Sequence, residues 1–245
     1  MKQTRPRLDV LLVERGLFAT RAKAHAAVMA GQVLVDGKPA GKAGTPTSAE
    51  AALELIAPCP YVSRGGLKLE AALSNFPVTI TDRICLDIGA STGGFTDCLL
   101  HKGAAKVYAI DVGRGQLCDK LKQDSRVVWR EETHARDIKA DWFSPAPDLA
   151  VIDVSFISLT QVLPYALPCL KKPFEVLALI KPQFEVGPKL APKGVVRQAE
   201  NRELAIEKVR RSLQGLNVTE AGLFECPVHG PKGNIEFFIH IKSNH

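Results

Sequence analysis

Residues 84–96, "ICLDIGASTGGFT", decide how the fold is read. An apolar run reaches Asp87 and passes into Gly, Ser and Thr, the pattern of a buried strand that feeds a tight loop and then the first turn of a helix. Gly89, Gly93 and Gly94 permit positive φ or close approach of a ligand, and the unpaired amides of a helix start favour a carboxylate or phosphate. The stretch therefore predicts a seat for a nucleotide-like ligand. Its glycines fall as Gly-x-x-x-Gly-Gly, unlike the Gly-x-Gly-x-x-Gly of a dinucleotide site, and they lack the Gly-Lys-Ser/Thr of a phosphate-binding loop. S-adenosylmethionine, another nucleotide and a purely structural turn all stay open on this stretch alone.

Outward from it, apolar strands alternate with helical segments. After a helix to Lys102 come a strand at 107–111, a helix at 114–121 and strands at 127–130 and 149–154. A helix at 159–170, a strand at 176–180 and a helix at 200–213 follow, and 234–241 alternates as an edge or antiparallel strand. This rhythm predicts an α/β chain with a parallel, doubly wound sheet and a ligand at the carboxyl ends of its strands.

Charged residues fall at those ends. Asp111 closes the second strand, where a carboxylate accepts bonds from both hydroxyls of a ribose, as an adenosine or nicotinamide ligand requires. After the third strand, Thr133, His134 and Asp137 are placed to meet an adenine edge, with Asp137 equally suited to capping a helix. Asp153 closes the fourth strand in "VIDVSFIS" and Lys181 the fifth in "ALIKPQFE". Glu236 lies in a terminal apolar strand, where a lone carboxylate is costly unless partnered. Lys68, on a helix expected over 67–76, completes a set able to form one nearly charge-balanced buried cluster.

Net charge is +6, and +5 of it falls in the first 42 residues, which hold eight basic side chains, Lys2 among them, and three acidic ones. A basic end on a neutral body suits a polyanion-binding module beside a ligand or catalytic domain, or else a solvated basic face. Within it, Leu8, Leu11 and Leu12 fit a helix closed by Gly16, Thr20 caps a second helix running to Gly31, and residues 32–35 lead into an Asp36-Gly37 turn. The Gly-, Ser- and Pro-rich stretch that follows, with Pro58 and Pro60, puts a boundary near residue 60. Six cysteines with no Cys-x-x-Cys pair read as reduced core thiols. The chain start lacks a signal-peptide core, and no apolar run approaches the roughly 18 residues a bilayer span needs. A cytoplasmic protein without a membrane partner is expected.

Two resemblances sharpen this. "RLDVLLVERGLFATRAKAHAAVMAGQVLVDGK" resembles the RNA-binding domain first seen in ribosomal small-subunit protein four. That likeness implies RNA contacts at Arg5, Arg7, Arg21, Lys23 and Lys38 in a small α+β domain over 1–60. The order Lys68, Asp153, Lys181, Glu236 around "LDIGASTGGFT" is similar to the Lys-Asp-Lys-Glu tetrad of FtsJ-type ribose 2′-O-methyltransferases. With "SRGGLKLEAAL", "DVSFISL" and "KPQFEVG" the chain resembles the TlyA family of rRNA methyltransferases, often labelled haemolysin A. The resemblance implies a Rossmann-like methyltransferase domain over 61–245. Its expected activity is transfer of a methyl group from S-adenosylmethionine to cytidine 2′-hydroxyls of ribosomal RNA, as free rRNA or a ribosomal subunit. Because the chain starts close to the module and stops soon after Glu236, the large-subunit branch of the family is favoured, with the small subunit also open. Expected catalytic residues are Lys68, Asp153, Lys181 and Glu236. Expected cofactor contacts are Asp87, Gly89, Ala90, Ser91, Thr92, Gly93, Gly94, Phe95, Asp111, Val112, His134 and Asp137, with Arg64 added to the RNA contacts and no metal. His134 departs from the Asn common in the family, since an imidazole accepting from adenine cannot copy an amide. A non-catalytic ribosome-assembly factor and a membrane-active haemolysin are the alternatives from other classes.

Overall fold

The computed structural model describes residues 5–29, 31–57 and 59–244, which leaves Lys2 of the basic end and Pro58 of the boundary outside the described residues. Two compact units are present, Met1–Pro60 and Tyr61–His245.

In the first unit, helices α1 (Leu8–Glu14) and α2 (Arg21–Met29) bury Leu8, Leu12, Ala24 and Val28 in one apolar cluster with Val33. Val33 belongs to a three-stranded antiparallel sheet of order β2-β1-β3, with β1 Val33–Val35, β2 Lys38–Pro39 and β3 Leu53–Leu55. The Thr20 hydroxyl accepts the Lys23 amide at 3.3 Å, the expected cap. Asp36 and Gly37 both adopt positive φ (51° and 72°), the turn that matches the twist of a tight hairpin.

The second unit begins with α3 (Arg64–Asn75) and alternates β4 (Ile84–Ile88), α4 (Gly94–His101), β5 (Lys106–Ile110), α5 (Asp119–Lys122), β6 (Val127–Arg130), β7 (Leu149–Ile152), α6 (Leu163–Ala166), β8 (Glu175–Ile180), α7 (Pro182–Glu185), α8 (Ala199–Ser212), β9 (Val218–Glu225) and β10 (Phe237–Ser243). Its seven strands lie in the order β6-β5-β4-β7-β8-β10-β9. All neighbours among β4 to β8 are parallel, and β10 runs antiparallel to both β8 and β9. Strands covered on both faces read as unbroken apolar runs, and their side chains alternate between two cores. Leu86, Ile88, Ala150, Ile152 and Ala178 pack on one face, and Cys85, Leu149, Val151, Leu177 and Leu179 on the other.

Three expectations change. The helix expected over 159–170 breaks into short pieces, because Pro164 and Pro168 bring no amide hydrogen to a continuous ladder. The helix expected over 114–121 shrinks to α5, because the Glu131 carboxylate takes the amides of Gly115, Gln116 and Leu117 at 2.7–3.0 Å and fixes them in a loop. The last strand is antiparallel but interior, since β9 covers its outer side. β9 has no clean period: its half-buried apolar positions are interrupted by Glu220 and Gly222.

Candidate active site

Parallel strands deliver the residues after their carboxyl ends to a single rim. Gly89 follows β4, Asp111 follows β5, Asp153 follows β7 and Lys181 follows β8. Glu236 precedes the antiparallel β10, and the pairing of Phe237 with Ile180 brings it level with Lys181. β4 and β7 lie side by side where successive crossovers diverge, and they remain joined past their ends by the Asp153 amide on the Ile88 carbonyl at 3.0 Å. That closeness dictates Gly89. It has φ +88°, and a Cβ there would come within 2.3 Å of the Asp153 carbonyl oxygen.

The four candidate catalytic residues form two ion pairs. Lys181 Nζ lies 2.6 Å from Asp153 Oδ1 and donates to the Ser155 hydroxyl at 2.9 Å. Lys68 reaches in from α3 to Glu236 Oε2 at 2.6 Å, and both members of this pair are buried. The other oxygen, Glu236 Oε1, is buried without a hydrogen-bond partner. Gly230 lies against it: a Cβ at that position would be 2.0 Å from Oε1. In low dielectric such pairs hold their geometry firmly, because separating the charges exposes each to an unfavourable surrounding.

Two cavities open beside these pairs. One, of about 520 Å³, is lined by Arg64, Lys68, Ala90, Thr92, Phe95 and Gly230 among others. The second, of about 490 Å³, is lined by Asp111, Val112, Thr133, His134, Ser155 and Phe156 among others. Gly89, Ser91 and Asp153 line both. Lys181 and Glu236 line neither and meet them through Asp153 and Lys68.

The second cavity suits an adenosine. Asp111 accepts the Ser91 amide on one oxygen at 2.7 Å and the Gly113 amide on the other at 2.6 Å, which fixes the carboxylate plane. Each oxygen keeps a second lone pair for a ribose hydroxyl. His134 Nδ1 accepts the Arg136 amide at 3.1 Å. A neutral His134 therefore carries its proton on Nε2 and offers a donor, which reverses the acceptor role expected of it.

Three residues expected at the cofactor stand elsewhere. Asp87 is fully buried, takes the Thr96 hydroxyl at 2.6 Å and braces the loop from beneath. Gly93 has φ +97° and faces Leu121, whose Cδ1 would be 2.1 Å from a Cβ there. Asp137 is exposed in the turn after His134 and lines neither cavity. Gly94 and Phe95 do line the first cavity, with the Phe95 ring stacked on Phe238. Among the described residues no group of His, Cys, Asp or Glu is placed to hold a metal.

In the first unit Arg5, Arg7, Arg21, Lys23 and Lys38 are exposed. Arg7 and Arg21 share a partner: Asp9, almost fully buried, takes Arg7 Nε and Nη2 at 3.1 Å and Arg21 Nε at 2.9 Å. The Arg7 contact, ahead of the opposing burial, holds the Asp9 carboxyl far below the usual carboxylate range. Arg64, in the second unit, donates to the His229 carbonyl at 3.1 Å.

Sequence reasoning passed over Ser155, Glu185 and Gly230. Ser155 stands two residues beyond Asp153, the spacing that returns an extended chain to the same side, so a signal was present. Gly230 gave none, because its role depends on a carboxylate brought to it only by folding.

The model of the FtsJ-like methyltransferases matches residues 61–243, and that of the S4 domain matches residues 6–51. The chain is 43% identical over 242 residues to the 16S/23S rRNA (cytidine-2′-O)-methyltransferase TlyA of Mycobacterium tuberculosis, covering 98% of this chain and 90% of the relative. It is 36% identical over 190 residues to the 23S rRNA (cytidine-2′-O)-methyltransferase TlyA of Campylobacter jejuni, covering 75% of this chain and 72% of that one. The solved structure named "Putative hemolysin from Streptococcus thermophilus" superposes with a TM-score of 0.77 at 42% identity, covering 99% of this chain and 90% of that chain. The chain belongs to the FtsJ-like methyltransferase family, alongside relatives named TlyA, and carries an S4 domain at its N-terminal end.

Proposed function

We propose that this protein is an S-adenosylmethionine-dependent methyltransferase acting on the ribose 2′-hydroxyl of cytidine in ribosomal RNA. The reading rests above all on one arrangement: the Lys181–Asp153 and Lys68–Glu236 pairs beside two cavities that share Gly89, Ser91 and Asp153. When bound, the cofactor supplies a methyl group on a sulfonium. Asp111, Thr133 and His134 would hold its adenosine, and the 89–95 loop its amino-acid end.

The residues of the chain supply alignment and handling of a proton. In-line displacement gains much of its acceleration from fixed geometry. Lys181, ion-paired with Asp153 and donating one N–H to Ser155, keeps an N–H for the attacking ribose oxygen. Asp153 lies against that amine and is the nearest base for the hydroxyl proton. Lys68, held by Glu236, forms part of the wall that would face the substrate sugar. The first unit, 1–60, and Arg64 would meet RNA phosphates, positioning the substrate without reading its sequence. Among the described residues no helix is long and apolar enough to cross a membrane. Action on ribosomal subunits would put the protein in the cytoplasm.

The test is nucleoside mass spectrometry of rRNA from both subunits, with and without the gene. Loss of 2′-O-methylcytidine from the large subunit is expected. Because identity to the 16S/23S relative exceeds that to the 23S one, the small subunit is read in the same experiment. Lys181→Ala should abolish transfer and leave cofactor affinity within about threefold, since the amine lies outside both cavities; full activity in that variant removes Lys181 from the reaction.

A further inference from the structure

We propose that Ser155 and Glu185, outside the four-residue set, are positioning residues that fix the direction of the Lys181 amine. The inference rests on the reading of Lys181 as the group facing the ribose hydroxyl, and it adds what holds that group.

A lysine head is a compact ion on a stem of four rotatable bonds, so one ion pair leaves it free to swing about its partner. Lys181 Nζ is ion-paired with Asp153 Oδ1 at 2.6 Å, an oxygen buried without a hydrogen-bond partner, and its directed hydrogen bond goes to Ser155 Oγ at 2.9 Å. The ion pair sets the position of the head and the Ser155 bond sets its rotation, so together they direct the N–H groups that remain. Ser155 lines the same cavity as Asp111 and His134, which places this acceptor on the cofactor side of the amine.

The loop carrying Ser155 needs support of its own, because Phe156 adopts φ +64°, a conformation unfavourable for a bulky side chain. Glu185 supplies the support. One of its oxygens accepts the Leu159 amide at 2.8 Å, and the other accepts the Ser158 hydroxyl and lies 3.4 Å from Lys208 Nζ. Lys208 also donates to the Glu185 carbonyl at 2.7 Å. Glu185 is buried, and it closes α7, the short helix that begins directly after Lys181. It therefore ties the loop after β7 to the turn after β8, the two segments that present Asp153 and Lys181. The Phe156 and Phe184 rings, 5.1 Å apart, bridge the same two segments. Apart from those of Lys208, which anchor Glu185 to α8, these contacts join residues 153–159 to residues 181–185, so slack in either shifts the amine relative to its carboxylate.

Ser155→Ala, Ser155→Thr and Glu185→Gln are compared in the full chain. Ser155→Ala should lower kcat by about tenfold or more, with KM for rRNA and cofactor affinity within about twofold, and should shift the pH–rate profile. Ser155→Thr, which keeps the hydroxyl, should restore most of the rate. Glu185→Gln keeps an acceptor for the Leu159 amide but loses the charge that holds Ser158 and Lys208, and should give a smaller fall in kcat. If Glu185→Gln does not fold, Ser158→Ala replaces it. A second readout needs no turnover: the Nζ resonance of Lys181 in 15N-lysine-labelled protein, assigned through Lys181→Arg, should change its chemical shift in Ser155→Ala and return in Ser155→Thr. Unchanged kcat and an unchanged Lys181 resonance in Ser155→Ala overturn the proposal. Wild-type protein that leaves rRNA unmethylated overturns the assigned reaction, and the lysine spectrum still decides the brace.

Discussion

Lys68 and Glu236 stand 168 residues apart in the chain and hold their charged ends 2.6 Å apart in the fold, with Glu236 fully buried. Removing one partner strands the other charge in low dielectric. Lys68→Ala should therefore destabilise the protein by about 3–5 kcal/mol as well as abolish methyl transfer. A well-packed apolar pair, Lys68→Met with Glu236→Leu, should recover most of the stability and none of the activity. Urea unfolding alongside a methyl-transfer assay separates the two roles; an active double variant would show the pair to be structural alone.

Asp9 offers a test whose sign decides between charge and orientation. Asp9→Asn makes the basic end more positive, which on electrostatics alone tightens polyanion binding. If Asp9 orients Arg7 and Arg21 for phosphates, the same change should weaken rRNA binding despite the added charge. Binding measured against salt distinguishes the outcomes, and tighter binding with an unaltered salt slope would leave Asp9 a simple neutraliser. The depressed Asp9 pKa adds a stability signature. Its contribution is present above the ordinary carboxylate range and is lost as pH falls through the lower folded value.

The sheet and the strand-end charges were legible because parallel strands covered on both faces must be apolar throughout, so Asp153 and Lys181 stand out as the first charges after "LAVI" and "EVLALI". Glu236 was legible for the opposite reason: a carboxylate beside an apolar strand requires a partner. What escaped notice depends on contacts distant in sequence. Glu131 unmakes a helix by taking three amides of another loop. Asp87 resembled a ligand contact because its place in the motif is visible, while its carboxylate is turned inward to Thr96. The His134 tautomer depends on a backbone amide two residues away, which composition does not encode.

Gly230 lies so close to Glu236 that any side chain must displace the carboxylate or the loop. Gly230→Ala should cut kcat by about 10- to 100-fold, the loss expected of an ångström-scale misplacement. It should also lower stability. In a Glu236→Ala background, where the obstructing oxygen is gone, adding Gly230→Ala should have little further effect on either measurement. That non-additivity is the signature of a direct contact. Additive losses would place the Gly230 effect in the loop backbone.

Asp87 makes stability depend on pH in a direction opposite to that of a salt-bridged acid. Burial raises its pKa from 3.8 to about 7, against the Thr96 hydroxyl, which favours the charged form. Between these values the folded chain retains a proton that the unfolded chain has released. The contribution is therefore complete below about pH 4 and is lost as pH rises through 7. Three pKa units set an upper bound of about 4 kcal/mol on the change. Asn at this position keeps an acceptor for Thr96 and has no proton to lose, so Asp87→Asn should flatten the decline. Urea midpoints at pH 5 and pH 8 should differ clearly less in Asp87→Asn than in the wild type. Equal falls in both proteins would assign the pH dependence to another group.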